Sequence, residues 1–93
     1  MTLTVSGEQT PAGADPEGSS APLARALVEF ETQVTAQRPN LVLLADDSDA
    51  ALAAALVATK QLIPVAATEP ARDPSSPNGR LIAQLAEAYT RAA

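Results

Sequence analysis

The sequence predicts an α/β layer structure: a small parallel sheet of two or three strands sandwiched by about three helices. Three observations carry this expectation. Short apolar runs alternate with stretches of helical periodicity, the central run is continuous rather than alternating, and turn or capping residues separate the segments.

Thr2-Leu3-Thr4-Val5 alternates and is rich in β-formers, which predicts a short first strand. Ser6 to Ser20 follows with three glycines, two prolines and three acids, and almost nothing to bury. That composition predicts a flexible linker. Residues 1–20 are therefore expected to be a strand plus linker, and residues 21–93 a single α/β domain. Ser20 or Ala21 with Pro22 opens a helix, because proline is tolerated in a first turn. Leu23, Leu27, Phe30 and Val34 then make one apolar stripe, and Pro39 stops the helix.

Leu41-Val42-Leu43-Leu44-Ala45 is the continuous run, and it reads as a strand buried on both faces. Asp46-Asp47-Ser48-Asp49 supplies caps for a second helix from about Ala50 to Thr59, whose many alanines favour helix and permit close packing. Ile63-Pro64-Val65-Ala66-Ala67 predicts another strand, and Thr68 to Pro77 a loop with three prolines. A third helix from about Asn78 to Arg91 carries Leu81, Ile82, Leu85 and Tyr89 on one face. No internal repeat is visible.

Composition narrows the function. Ninety-three residues make one small domain, which buries little surface and gains from a partner chain. The hydrophobic fraction is 46%, but 21 residues are alanine and contribute little burial each. Cysteine and histidine are both absent, which removes disulfides, thiolate nucleophiles, the commonest general base and the commonest metal ligand. No metal or cofactor is expected. A net charge of −5 and two aromatic residues argue against nucleic-acid binding. No apolar run approaches the roughly 20 residues that span a bilayer, and no basic segment leads into an apolar one at the N-terminus. A cytoplasmic chain is the expectation.

Ligands of open parallel sheets bind beyond the carboxyl ends of the strands. Two segments qualify: Asp46-Asp47-Ser48-Asp49, and Thr68-Glu69-Pro70-Ala71-Arg72. The acidic cluster reads first as helix capping and second as a cation site, although it has no glycine-bearing calcium loop. Glu69 and Arg72 read either as an exposed loop ion pair or as ligand contacts. Arg80 and Arg91 read as solvated helix residues, and Tyr89 as the edge of the core.

These strand–turn–helix segments resemble the N-terminal domain of the non-hydrolysing UDP-N-acetylglucosamine 2-epimerases. That family carries a strand of the type LVLVQGDT, then an alanine-rich helix, then a strand of the type IPVAHVEAG. The stretches similar to these are Leu41-Val42-Leu43-Leu44-Ala45-Asp46-Asp47-Ser48 and Ile63-Pro64-Val65-Ala66-Ala67-Thr68-Glu69-Pro70-Ala71. Asn78-Gly79-Arg80-Leu81-Ile82-Ala83-Gln84-Leu85-Ala86 is similar to the family's NRRLIDxLA helix. The likeness runs from Ala24 to Ala71 and resumes after a shortened loop. It implies a fragment of a Rossmann-like sheet.

The resemblance puts the family's substrate-side aspartate on Asp47, its threonine on Ser48 and the glutamate of VEAG on Glu69. Asp47 and Glu69 are thus the candidate catalytic residues, and Ser48, Arg72 and Asn78 the candidate ligand contacts. The departures are specific. Asp46 replaces the glycine before the aspartate, Ala71 replaces the glycine after Glu69, and Pro74-Ser75-Ser76 replaces the acidic PEE segment. The family's histidine and second Rossmann-like domain have no counterpart here.

Epimerisation through UDP elimination and re-addition needs proton transfer at carbon and a grip on the leaving diphosphate. The resemblance therefore implies a non-catalytic epimerase-like structural or interaction module that self-associates or joins a partner. Two alternatives stand beside it. One is a small subunit of a split epimerase that contributes Asp47 and Glu69 to a shared site, and the other is a small-ligand binding protein, with a UDP-sugar as the implied ligand.

Overall fold

A computed structural model of the chain describes residues 1–7 and 20–92, with side chains as far as residue 86. The expected linker falls largely on residues 8–19, and Tyr89 and Arg91 beyond residue 86, so those expectations lie outside the described residues.

Three strands, β1 (Thr2–Val5), β2 (Leu41–Leu44) and β3 (Val65–Ala67), form one parallel sheet in the order β1-β2-β3. Their register sets Leu3 beside Val42 and Val42 beside Val65, with Val5 beside Leu44 and Leu44 beside Ala67. Alternate residues of a strand point to opposite faces. Leu3, Val5, Val42, Leu44 and Val65 consequently share one face, and all are buried.

Helices α1 (Ser20–Gln37), α2 (Asp49–Lys60) and α3 (Pro77–Ala92) follow the three strands in turn. Ala26, Phe30 and Val34 of α1, the alanines of α2 and Ile82 of α3 enter a single core with that sheet face. All three helices therefore cover the same side. The expected sandwich, with β2 buried on both faces, is corrected: Leu41 and Leu43 are half-buried, and Thr2 and Thr4 are exposed. The cause is the strand order. Successive right-handed crossovers that always step in one direction leave every connecting helix on one side of the sheet.

Helix α2 is the middle of the helix layer. Its Ala50 to Ala55 run is buried throughout, as are Val57 and Ala58. Small side chains let α1, α3 and the sheet all approach it closely. On α1 the buried stripe is Pro22, Ala26, Phe30 and Val34, while the predicted Leu23 and Leu27 are half-buried at its margin. On α3, Ile82 is fully buried and Leu85 packs against the core, but Leu81 is 49% exposed.

The end of α2 explains why β3 begins later than its apolar run. Leu62 N–H donates to Thr59 O at 3.2 Å and Ile63 N–H to Ala58 O at 2.9 Å, with Leu62 in the left-handed region at φ 61°. This is a Schellman cap. Leu62 and Ile63 are used in terminating the helix, so the strand starts at Val65, although the Pro64 carbonyl already accepts from Val42 N–H at 2.9 Å. Among the described residues, no helix is long and apolar enough to cross a membrane.

Candidate functional site

Because all strands are parallel, the segments after β1, β2 and β3 emerge at one edge of the sheet. Asp46 is the centre of the hydrogen bonding there. Its Oδ2 accepts from Gly7 N–H at 2.7 Å and its Oδ1 from Ser48 N–H at 3.1 Å. The second bond closes an Asx turn, and the first ties the exit of β1 to the exit of β2. Burial raises the Asp46 pKa, but bonds from the Ser48 hydroxyl, the Gly7 N–H and the Ser48 N–H outweigh it and hold the carboxyl below its usual range.

Ser48 also caps α2. Its hydroxyl oxygen accepts from Ala51 N–H at 3.1 Å, with Asp49 in the first helical turn beside the positive end of the helix dipole. Asn78, at the start of α3, donates through Nδ2 to Asp47 O at 3.1 Å and to Asp49 Oδ1 at 2.9 Å. It cross-links the starts of α2 and α3. Thr68 closes the β3 side, donating through Oγ1 to Leu44 O at 3.2 Å and Ala45 O at 3.1 Å.

The predicted candidates thus separate into two groups. Ser48 and Asn78 are committed to the architecture of the edge. The Asp47 side chain takes no hydrogen bond among the described residues and is half-buried. Glu69 and Arg72 are exposed at the two ends of a 3-10 turn (Pro70–Arg72), and no ion pair joins them among the described residues. Asp47 lies three residues beyond Leu44, and Glu69 two beyond the paired Ala67, so the two carboxylates share one edge. Sequence reasoning did not find the roles of Asp46, Gly7 or Thr68. Asp46 two residues before a serine N-cap carried a local Asx-turn signal, whereas its bond to Gly7 spans 39 positions.

Chemically, this edge is acidic, and its Asp46, Ser48, Thr68 and Asn78 side chains are satisfied within it. Asp46, Asp47 and Asp49 cluster there, and two backbone donors that could meet an anion already hold the Asp46 carboxylate. Among the described residues, no three metal-ligating side chains converge as a metal site. A cleft of about 280 Å³ lies at the opposite end of the sheet, between Val34, Arg38, Pro39, Gln61 and Ile63, and takes in none of the candidates.

No protein-family model matches the chain, and no curated protein matches it. Among solved structures it is similar to a UDP-GlcNAc 2-epimerase from Methanocaldococcus jannaschii, with a TM-score of 0.64 and 29% sequence identity. The match covers 78% of this chain and 21% of that one, so this chain spans about a fifth of that protein's length. The resemblance drawn from the strand and turn motifs therefore extends to the three-dimensional fold.

Proposed function

We propose that this chain is a non-catalytic, epimerase-like interaction module that self-associates or joins a partner, acting in the cytoplasm. The observation that carries the reading is the Asp46 clamp. Gly7 N–H and Ser48 N–H are two backbone donors at the strand-end crevice, and both are bonded to a carboxylate of the same chain. A leaving diphosphate would find those donors taken and three aspartates nearby, in a site without the histidine that the resembled family uses. Stabilisation of developing negative charge requires free, preorganised donors.

The test is calorimetry and turnover with UDP-GlcNAc. The expected result is no epimerised product and no heat at millimolar ligand. Product formed by the chain alone overturns the reading. The split-enzyme alternative draws support from Asp47 and Glu69, whose carboxylates carry no structural bond at a shared edge. Under that alternative, UDP-sugar turnover appears on adding a nucleotide-binding partner chain and is lost in Asp47→Ala and Glu69→Ala.

A further inference from the structure

We infer that Asn78-Gly79 is a site of spontaneous deamidation which the native fold holds shut, and that its product unfastens α3 from α2. The pair lies in the first turn of α3. This reactivity belongs to the chain itself, whatever partner it meets.

The reaction consumes only water. The main-chain nitrogen of Gly79 loses its proton and attacks Cγ of Asn78, the Cγ–Nδ2 bond breaks, and ammonia leaves. The five-membered succinimide that remains takes up one water, which opens it at either carbonyl to give aspartate or isoaspartate. No group is oxidised or reduced. Glycine after the asparagine favours the attack, because it has no side chain to obstruct the nitrogen and the freest backbone.

Packing demands both halves of this labile pair. A Cβ at Gly79 would overlap the main chain of Asp73, so the buried position takes glycine. Asn78 faces two acceptors, Asp47 O at 3.1 Å and Asp49 Oδ1 at 2.9 Å, and meets both through Nδ2. An amide nitrogen carries the two N–H groups that this carbonyl and this carboxylate together call for.

The same contacts hold the reaction back. Gly79 N–H donates to Ser76 Oγ at 2.8 Å, so the attacking nitrogen is engaged. The Asn78 amide is tied on its other side to the start of α2. Helical main-chain angles also keep the following nitrogen away from Cγ. Ring closure therefore requires the first turn of α3 to open, and its rate follows the population of that open form.

The product cannot remake the link. A carboxylate at position 78 has no N–H to donate and stands opposite the Asp49 carboxylate. Its charge suits the positive end of α3, but two hydrogen bonds are lost, one of them to a charged partner. Isoaspartate disturbs more, since it lengthens the main chain by one methylene inside the turn.

Incubation of the full chain in mildly alkaline buffer, native and in urea, tests this by intact mass and peptide mapping. Conversion at position 78 is expected to be roughly tenfold or more faster in urea. Asn40, the one other asparagine, precedes the bulky Leu41 and is the internal control, expected to stay intact. Equal rates with and without urea overturn the shielding, and an Asn78 as durable as Asn40 in urea overturns the site. Asn78→Asp stands for the product and is expected to unfold at lower urea concentration than the wild type, followed by circular dichroism. Adding Asp49→Asn returns a donor to the link and is expected to recover part of that loss. An unchanged midpoint in Asn78→Asp, or no recovery in the double variant, overturns the unfastening.

Discussion

Asp46 shows how one side chain can exchange a ligand's place for a structural bond. Its carboxylate supplies a negative charge where the resembled family has glycine, and the charge is held by two backbone N–H groups. Because its folded pKa lies below the usual value of 3.8, its contribution is present above that value and is lost as pH falls through the folded pKa. Asp46→Asn is expected to cost about 1–2 kcal/mol at neutral pH, the low end for charged hydrogen bonds because the group is part-exposed. The same variant should flatten the loss of stability below about pH 4, checked by urea unfolding at several pH values. Leu62 presents the reverse case. It is 81% exposed and held at φ 61°, so its side chain gains little while its backbone is strained. Leu62→Gly is expected to stabilise the chain by about 0.5–1 kcal/mol in the same assay, the relief of left-handed strain being partly offset by unfolded-state entropy. Ser48 was readable as a helix cap because capping is a local property. The Asp46–Gly7 bond was not readable, because nothing near Asp46 in sequence names a partner across the neighbouring strand.

At the scale of elements, the succession of strands and helices was legible because each has its own periodicity and its own stop signal. The face each strand presents was less legible. A continuous apolar run such as Leu41 to Ala45 fits burial on two sides, and only the strand order reveals that the helices occupy one. The start of α3 depends on a contact that sequence does not announce. A Cβ at Gly79 would overlap the backbone of Asp73, where the preceding loop folds against the first turn of the helix. Ser76 Oγ accepts from Gly79 N–H at 2.8 Å and fixes the same turn. Although alanine is the better helix former by about 1 kcal/mol, Gly79→Ala is expected to lose about 1–3 kcal/mol because the overlap is with main chain that cannot rotate away. Thermal unfolding followed by circular dichroism decides the sign. A gain in Tm would mean that the loop yields easily.

For the whole molecule, the described helices pack on one side of the sheet, so stability depends on what meets the other side. If the chain self-associates as proposed, Tm rises with protein concentration by mass action, and a Tm constant over a hundredfold dilution range contradicts self-association. The candidate site was legible as a location, since parallel strands place their carboxyl ends together. The division of labour within it was not, because capping and ligand binding draw on the same serine, asparagine and aspartate side chains. The alanine-filled middle helix has a further consequence, for how this sequence can drift. Ala51, Ala53, Ala54, Ala55 and Ala58 are all fully buried, with neighbours on every side. Single-nucleotide changes of an alanine codon yield Val, Thr, Ser, Pro, Gly, Asp or Glu. Each brings extra bulk, a stranded polar group, a charge or a poorer helix former to a site with no room to adjust. Large cores tolerate swaps among similar hydrophobes, but this one is built from the residue with the fewest substitutes. In a saturation library selected for folding, α2 should be the least variable segment, although it carries none of the candidate chemistry.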